Sequence, residues 1–101
     1  MSRVRLSSRR ESEVVAFVHK RIAYTGSVST WPDGPPCEVF LDGGKAGTAV
    51  QHVVRDCAVA ASLALQYGAP LETLRAAMTR HDDNAAAGPL GKLLDLAGSK
   101  S

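Results

Sequence analysis

The sequence predicts an α+β fold, in which a three-stranded antiparallel β-meander packs against one long buried helix. A second helix and a short C-terminal helix complete the prediction. Two observations support it. The first half of the chain contains three β-prone runs separated by short breaks, and the second half begins with a long apolar segment of helical spacing. Because the strands come first and the helices follow, the helices are expected to cover one face of the sheet.

Length and composition predict a single domain. The chain has 101 residues, of which 45% are hydrophobic but only 5% aromatic, so the core is expected to consist mainly of Val, Leu and Ala. We assign residues 13–97 to this domain. Residues 1–12 are predicted to form a flexible basic arm, and residues 98–101 a disordered tail.

The first two strands are predicted as a hairpin. Residues 13–19 are β-branched and apolar, Lys20 and Arg21 form a polar break, and a second run alternates apolar and polar residues from Ile22 onward. A cluster of breakers at residues 31–36 includes Asp33 and Gly34 as turn residues. The third strand, residues 37–42, then returns beside the second.

A long helix is predicted over residues 48–67. Thr48 can act as its N-cap and Gly68 as the glycine that ends it. Since apolar residues lie nearly all round this segment, we expect the helix to be buried, with Cys57 as a small buried side chain. A second helix is predicted over residues 71–80 after Pro70, and a short last helix over residues 90–96.

The turn before the long helix is the first candidate site. Backbone N–H groups at a helix N-terminus favour anions, so phosphate or nucleotide binding is one interpretation of this turn. A tight structural turn with an N-cap is the other, because the order of residues matches neither a P-loop nor GxGxxG. The candidate phosphate-binding residues are Gly43, Gly44, Lys45, Gly47 and Thr48.

The N-terminal arm is the second candidate site. Six of the twelve basic residues lie in residues 1–21, whereas the acidic residues outnumber the basic ones in the rest of the chain. The arm could contact nucleic-acid phosphates or could simply be a solvated tail. The candidate contact residues are Arg3, Arg5, Arg9 and Arg10.

No catalytic, metal or cofactor site is predicted. The three histidines lie in separate parts of the sequence, and neither Cys37 nor Cys57 has a second ligand at metal-binding spacing. The adjacent carboxylates Asp82 and Asp83 are more typical of a loop after a helix than of an acid/base pair. Charged residues interrupt the longest apolar run, so we expect no membrane partner and a cytoplasmic protein.

Residues 32–74 resemble a known family. Two segments carry the resemblance, in the order PDGPPCEVFLDGGKAGTAVQ and SLALQYGAPLETL. They are similar to the TSCPD domain, which is found at the C-terminal end of adenosylcobalamin-dependent ribonucleotide reductases and as short free-standing bacterial proteins. The resemblance implies the fold and a link to nucleotide metabolism. It does not imply reductase activity, because this chain has no room for the catalytic barrel, and the Cys-Pro-Asp element of the family is absent.

These observations predict a small non-catalytic accessory domain that acts through protein or nucleotide contacts. A ribonucleotide reductase subunit or another protein is the expected partner. A nucleic-acid-binding module using the arginine arm is the alternative, and reductase activity within a complex with a catalytic subunit is the third interpretation. The long helix carries more apolar surface than the rest of the chain can cover, so we also predict a homodimer joined through it, at Val59, Ala60 and Leu63.

Overall fold

A computed structural model describes residues 11–32 and 34–98 and confirms the α+β fold. Strands β1 (Glu11–His19), β2 (Ile22–Thr30) and β3 (Pro36–Gly43) form an antiparallel sheet in the order β1-β2-β3. Helices α1 (Ala49–Gln66), α2 (Leu71–Ala76) and α3 (Pro89–Gly98) follow. The meander therefore has the predicted connectivity, and α1 packs chiefly against β3.

The register of the sheet separates an inner from an outer face. Val15, Gly26 and Leu41 lie side by side across the three strands, and Leu41 is fully buried. Gly26 has no side chain because α3 lies directly above it: a Cβ there would be 2.8 Å from Leu93 Cδ2. The buried core forms between this inner face and the helices, and comprises Tyr24, Val39, Leu41, Val54, Ala58, Ala61, Leu65, Leu93 and Leu94.

Helix α1 is capped as predicted but is not buried all round. Thr48 Oγ accepts a hydrogen bond from the Gln51 N–H, and Gly68 follows the helix with a φ of 109°. Only one face is covered, while Val53 and Val59 are 58% and 57% exposed. The expectation of a fully buried helix was therefore wrong. A sheet of three strands is wide enough to cover one side of a helix, and the other described helices cover little more of it.

Cys57 also differs from its prediction, because it lies on the exposed side of α1. Cys37 is the buried thiol instead, and it belongs to β3. The apolar pattern near Cys57 is continuous around the helix, so periodicity could not distinguish its covered side from its free side.

Three boundaries differ from the predicted ones. Glu11 and Ser12, which were assigned to the arm, belong to β1, and residues 1–10 lie outside the described residues. Helix α2 ends at Ala76 and not near Arg80, because the chain then turns into a short loop closed by a bridge between Arg80 and Ala86. Helix α3 extends to Gly98, which was assigned to the tail; the remainder of that tail is outside the described part of the chain.

The outer edge of β3 is covered by α1 side chains. Ser62 Oγ accepts a hydrogen bond of 2.8 Å from the Val39 N–H, and Gln66 Nε2 donates to the Cys37 carbonyl at 2.9 Å. Both polar side chains are buried. They satisfy backbone groups that an edge strand would otherwise present to another chain, so β3 is protected against further strand pairing.

Candidate functional site

The loop between β3 and α1 forms the predicted turn and N-cap. Gly44 and Gly47 have φ values of 79° and 80°, in the left-handed region that favours glycine. The Thr48 hydroxyl donates to the Lys45 carbonyl at 2.6 Å, and its oxygen accepts from the Gln51 N–H. These contacts fix the entry into α1 and explain why glycines occur at those two positions.

Several donors of this loop already have partners. The Gly47 N–H donates to Gln51 Oε1 at 2.8 Å, and the Thr48 N–H donates to the Lys45 carbonyl at 3.1 Å. The Thr48 hydroxyl hydrogen is also engaged within the loop. A phosphate bound here would therefore depend mainly on nearby cationic side chains. The N–H groups of Gly47 and Thr48 and the Thr48 hydroxyl, which the sequence suggested as ligands, already have acceptors.

The fold brings a second cation to this loop. Arg21, from the turn between β1 and β2, lines one open cavity of about 410 Å³ together with Lys45. The remaining lining residues are neutral: Ile22, Ala23, Gly44, Thr48 and Val50. The cavity therefore combines two positive side chains with the N-terminal end of α1, whose dipole also favours an anion.

Sequence reasoning treated Arg21 only as part of a polar break and missed its place in this cavity. The missed signal was the turn itself. Lys20 and Arg21 have φ values of 50° and 71°, and a two-residue hairpin turn with both φ values positive normally contains Asn-Gly. Two basic residues in this conformation cost backbone strain, which is more often tolerated at functional positions.

Asp42, the acidic residue nearest in sequence to the loop, has its negative charge balanced by hydrogen-bond partners of its own. Asp42 Oδ1 accepts from Arg55 Nε at 2.9 Å and from Gln51 Nε2 at 3.4 Å. The hydrogen bond from Arg55 lowers the pKa of the Asp42 carboxyl below its ordinary value. Asp42 therefore stays charged and paired at neutral pH, which limits its repulsion of an anion bound near Lys45.

The other chemically interesting residues do not form a site. The ring of His19 contacts the Ala87 carbonyl at 3.1 Å, and Asp83 accepts from the Ala85 N–H within its own loop. Residues 11–32 and 34–98 contain no cluster of three or more His, Cys, Asp or Glu side chains that could hold a metal ion. The four arginines of the arm lie outside the described residues, so their role stays a prediction.

A partly buried ion cluster near α3 was not predicted at all. Arg80 forms two hydrogen bonds of 2.8 Å to the two carboxylate oxygens of Asp95, and Arg75 Nε donates to the same carboxylate at 2.9 Å. These contacts, with the bond from Arg80 foremost, hold the pKa of Asp95 far below its ordinary value. The cluster ties the end of α2 and the following loop to α3, so its role is structural.

The exposed side of α1 forms an apolar stripe. From Val50 to Ala60 its members recur at three- and four-residue spacing, and Tyr67 follows seven residues later. The part nearest α3 borders a groove of about 280 Å³ that includes Met78 and Leu90. We call this surface the α1 stripe, and it consists of Val50, Val53, Cys57, Ala60 and Tyr67. A continuous apolar stripe of this kind is typical of a helix that contacts another protein.

None of the described helices combines the length and the apolar character that crossing a membrane would require.

Comparison with known proteins identifies the family. The family model named TSCPD domain matches residues 5–95. A segment of 47 residues, 46% of this chain, is 38% identical to a vitamin B12-dependent ribonucleotide reductase of Rhodopirellula baltica, and it covers 4% of that protein. No solved structure matches the chain significantly. Since the family model spans nearly all of the described residues, the chain belongs to the TSCPD domain family.

Proposed function

We propose that this chain is a non-catalytic accessory domain of the ribonucleotide reductase system, which binds the phosphate groups of a nucleotide in the cavity between Arg21 and Lys45. The observation that carries the proposal is the convergence of these two cations from separate loops on one open cavity with neutral walls. The family relation adds the nucleotide context, because the similar segment in Rhodopirellula baltica belongs to a ribonucleotide reductase.

The geometry favours weak and reversible binding. Both cations are exposed, so solvent screening limits each ion pair with a phosphate, its hydrogen bonds included, to about 1 kcal/mol or less. Two such contacts and the N-terminal end of α1 provide only weak binding. We therefore expect dissociation constants of about 1 mM or above.

Replacing either cation is expected to weaken nucleotide binding. Arg21→Gln and Lys45→Gln should each raise the dissociation constant of a nucleoside diphosphate about 5-fold to 10-fold, because each removes one charge-assisted contact. Titration followed by NMR chemical shifts, with a nucleoside diphosphate, the parent nucleoside and inorganic pyrophosphate as ligands, measures this. Binding of pyrophosphate but not of the nucleoside would identify the phosphates as the recognised group.

Lys20→Gln is the matched control. Lys20 has the same charge and belongs to the same turn, but it does not line the cavity. If all three variants weaken binding equally, net charge and not the cavity is responsible. If no ligand shifts the signals of residues 44–50 at millimolar concentration, the loop is a connector only and the proposal is wrong.

The α1 stripe favours a second candidate function, in which the domain docks on a catalytic reductase chain. The observation behind it is the exposure of Val53 beside an apolar groove on the free side of α1. Val53→Asp should abolish co-purification with such a chain, while nucleotide binding at Arg21 and Lys45 remains. Unchanged co-purification of the variant would exclude the stripe as the docking surface.

The other interpretations remain predictions. Nucleic-acid binding through Arg3, Arg5, Arg9 and Arg10 would appear as an affinity that falls steeply with salt and is lost when residues 1–10 are removed. A contribution to reductase activity within a complex would require a separate catalytic subunit. A cytoplasmic location and a homodimer through Val59, Ala60 and Leu63 of α1 are likewise untested.

A further inference from the structure

Strand β1 lies at one edge of the sheet that the described residues form. It pairs with β2 on one side, and no strand among the described residues pairs with its other side. The opposite edge of the sheet, on β3, is protected by Ser62 and Gln66 of α1. Edge strands are usually protected by proline, a bulge or lysine, yet β1 runs for nine residues in continuous register with β2 and contains none of these.

The hydrogen-bond pattern shows which backbone groups of β1 point outward. The Val39 N–H donates to α1, so Val39 does not bond its neighbour Val28 across the ladder. Along an antiparallel pair of strands, hydrogen-bonded residue pairs alternate with non-bonded ones, and a residue of a central strand directs its backbone groups to one neighbouring strand only. Val28 therefore forms its backbone hydrogen bonds with Glu13 of β1. Alternate residues along β1 then direct their N–H and C=O groups away from β2, and these include Val14, Ala16 and Val18.

The side chains of β1 are complementary to a second, antiparallel copy of the same strand. Along β1 the acidic side chain of Glu13 precedes an apolar centre, and the strand ends at His19, which is followed by the basic turn of Lys20 and Arg21. An antiparallel arrangement places the acidic end of each copy beside the basic end of the other. A parallel arrangement would place like charges together.

One register pairs the outward-facing backbone groups of the two copies and also brings matching side chains together. With a two-fold axis at Ala16, the outward-facing residues pair with each other, and Val14 of one copy lies beside Val18 of the other on the outer face. These valines are 66% and 65% exposed in the single chain. On the inner face, Glu13 would lie beside His19 of the second copy, whose ring also contacts the Ala87 carbonyl of its own chain. A shift of two residues in one direction would place Glu13 against Phe17. A shift of two in the other direction would place Val14 against Lys20, so the pairing centred at Ala16, which joins Val14 with Val18, is favoured.

We propose that two copies of this chain associate edge to edge through β1, centred on Ala16, to form a continuous six-stranded antiparallel sheet. The interface is isologous, because the same strand contributes from both copies. It differs from the homodimer predicted from the sequence, which used α1. The basic turn of Lys20 and Arg21 lies near both the proposed dimer interface and the proposed nucleotide site, but sedimentation and ligand titration test the two proposals separately.

A cysteine at the two-fold axis tests the register. In a Cys57→Ser background, Ala16→Cys places two thiols on residues whose Cα atoms are about 5.5 Å apart, within the range for a disulfide. Mild oxidation of the full chain should give a covalent dimer on a non-reducing gel. Ala23→Cys is the matched control, since Ala23 is also exposed on the outer face but belongs to the central strand β2. Equal cross-linking of the two variants would overturn the register.

Sedimentation distinguishes the three candidate surfaces. Val18→Lys should raise the dimer dissociation constant about tenfold or more, since each dimer contains the substitution twice. Phe40→Lys changes the outer face away from β1, and Val59→Lys changes α1, so both should leave the constant within about twofold. A single-chain mass for the unmodified protein at high micromolar concentration, or a dimer that only Val59→Lys or Phe40→Lys disrupts, would overturn the proposal.

Discussion

Val54→Asp is expected to unfold the domain, whereas Val53→Asp is expected to leave it folded. The two valines are neighbours on α1, but Val54 is 5% exposed in the core and Val53 is 58% exposed. An unpaired carboxylate at the buried position costs about 3–5 kcal/mol, a large part of the roughly 5–15 kcal/mol expected for the whole domain. At the exposed position water solvates the carboxylate, so the cost is expected to stay below about 1 kcal/mol.

Thermal unfolding followed by circular dichroism measures the difference. Val54→Asp should lower the melting temperature by at least about 12 °C or abolish the transition, and Val53→Asp should lower it by a few degrees at most. The comparison is matched, because residue type, helix and introduced charge are the same. A cooperative transition near the wild-type temperature in Val54→Asp would show that α1 faces the sheet through a different side.

Asp95→Asn is expected to have the second largest effect. It keeps the shape of the side chain but removes the charge that Arg75 and Arg80 share. The partly buried Arg80 guanidinium then loses the carboxylate that it contacts, and Arg75 keeps only its contact with the exposed Glu72. Loss of such a contact costs about 2–3 kcal/mol, so unfolding in urea should begin at clearly lower concentration. Asp82→Asn is the control, because Asp82 is an exposed carboxylate in the loop between α2 and α3.

The pH dependence gives an independent check of the same cluster. Asp95 has a folded-state pKa far below the value of about 3.9 expected in the unfolded chain. Its contribution to stability is therefore fully present above about pH 4 and is lost as pH falls toward the folded-state pKa. The stability difference between wild type and Asp95→Asn should accordingly shrink between about pH 4 and about pH 2. A constant difference over that interval would mean that the variant acts through packing and not through charge.

Local features of this fold were predictable because they depend on neighbouring residues. The strand runs, the Thr48 cap and the glycine after α1 follow from propensity, side-chain reach and allowed φ values over a few positions. The ends of the predicted strands and of α1 accordingly lie within one residue of the observed ones, apart from the start of β1, which includes Glu11 and Ser12. The end of α2 was not predictable in this way, because the loop after Ala76 is fixed by Arg80 reaching Asp95, fifteen residues away.

Only one of the two loops that form the candidate site could be predicted from the sequence. Gly43, Gly44, Lys45, Gly47 and Thr48 are contiguous, and a glycine-rich turn before a helix is visible in any sequence. Arg21 comes from a different turn and meets Lys45 only because β1, β2 and β3 are antiparallel and place both turns at one end of the sheet. The sequence also did not reveal that the Gly47 N–H already donates a hydrogen bond, since its acceptor is the Gln51 side chain in the first turn of α1.

By itself, the sequence determined the class of fold, the order of its elements, the glycine-rich turn and the family, since these depend on composition and on contacts between near neighbours. Only the tertiary structure decided which apolar residues are covered. Val53 and Val54 are chemically identical, and their different exposure results from the width of a three-stranded sheet and the position of α1 along β3. The contact of Arg80 with Asp95 and the cavity that Arg21 shares with Lys45 exist only once the sheet and helices have packed, because nothing local brings these charges together.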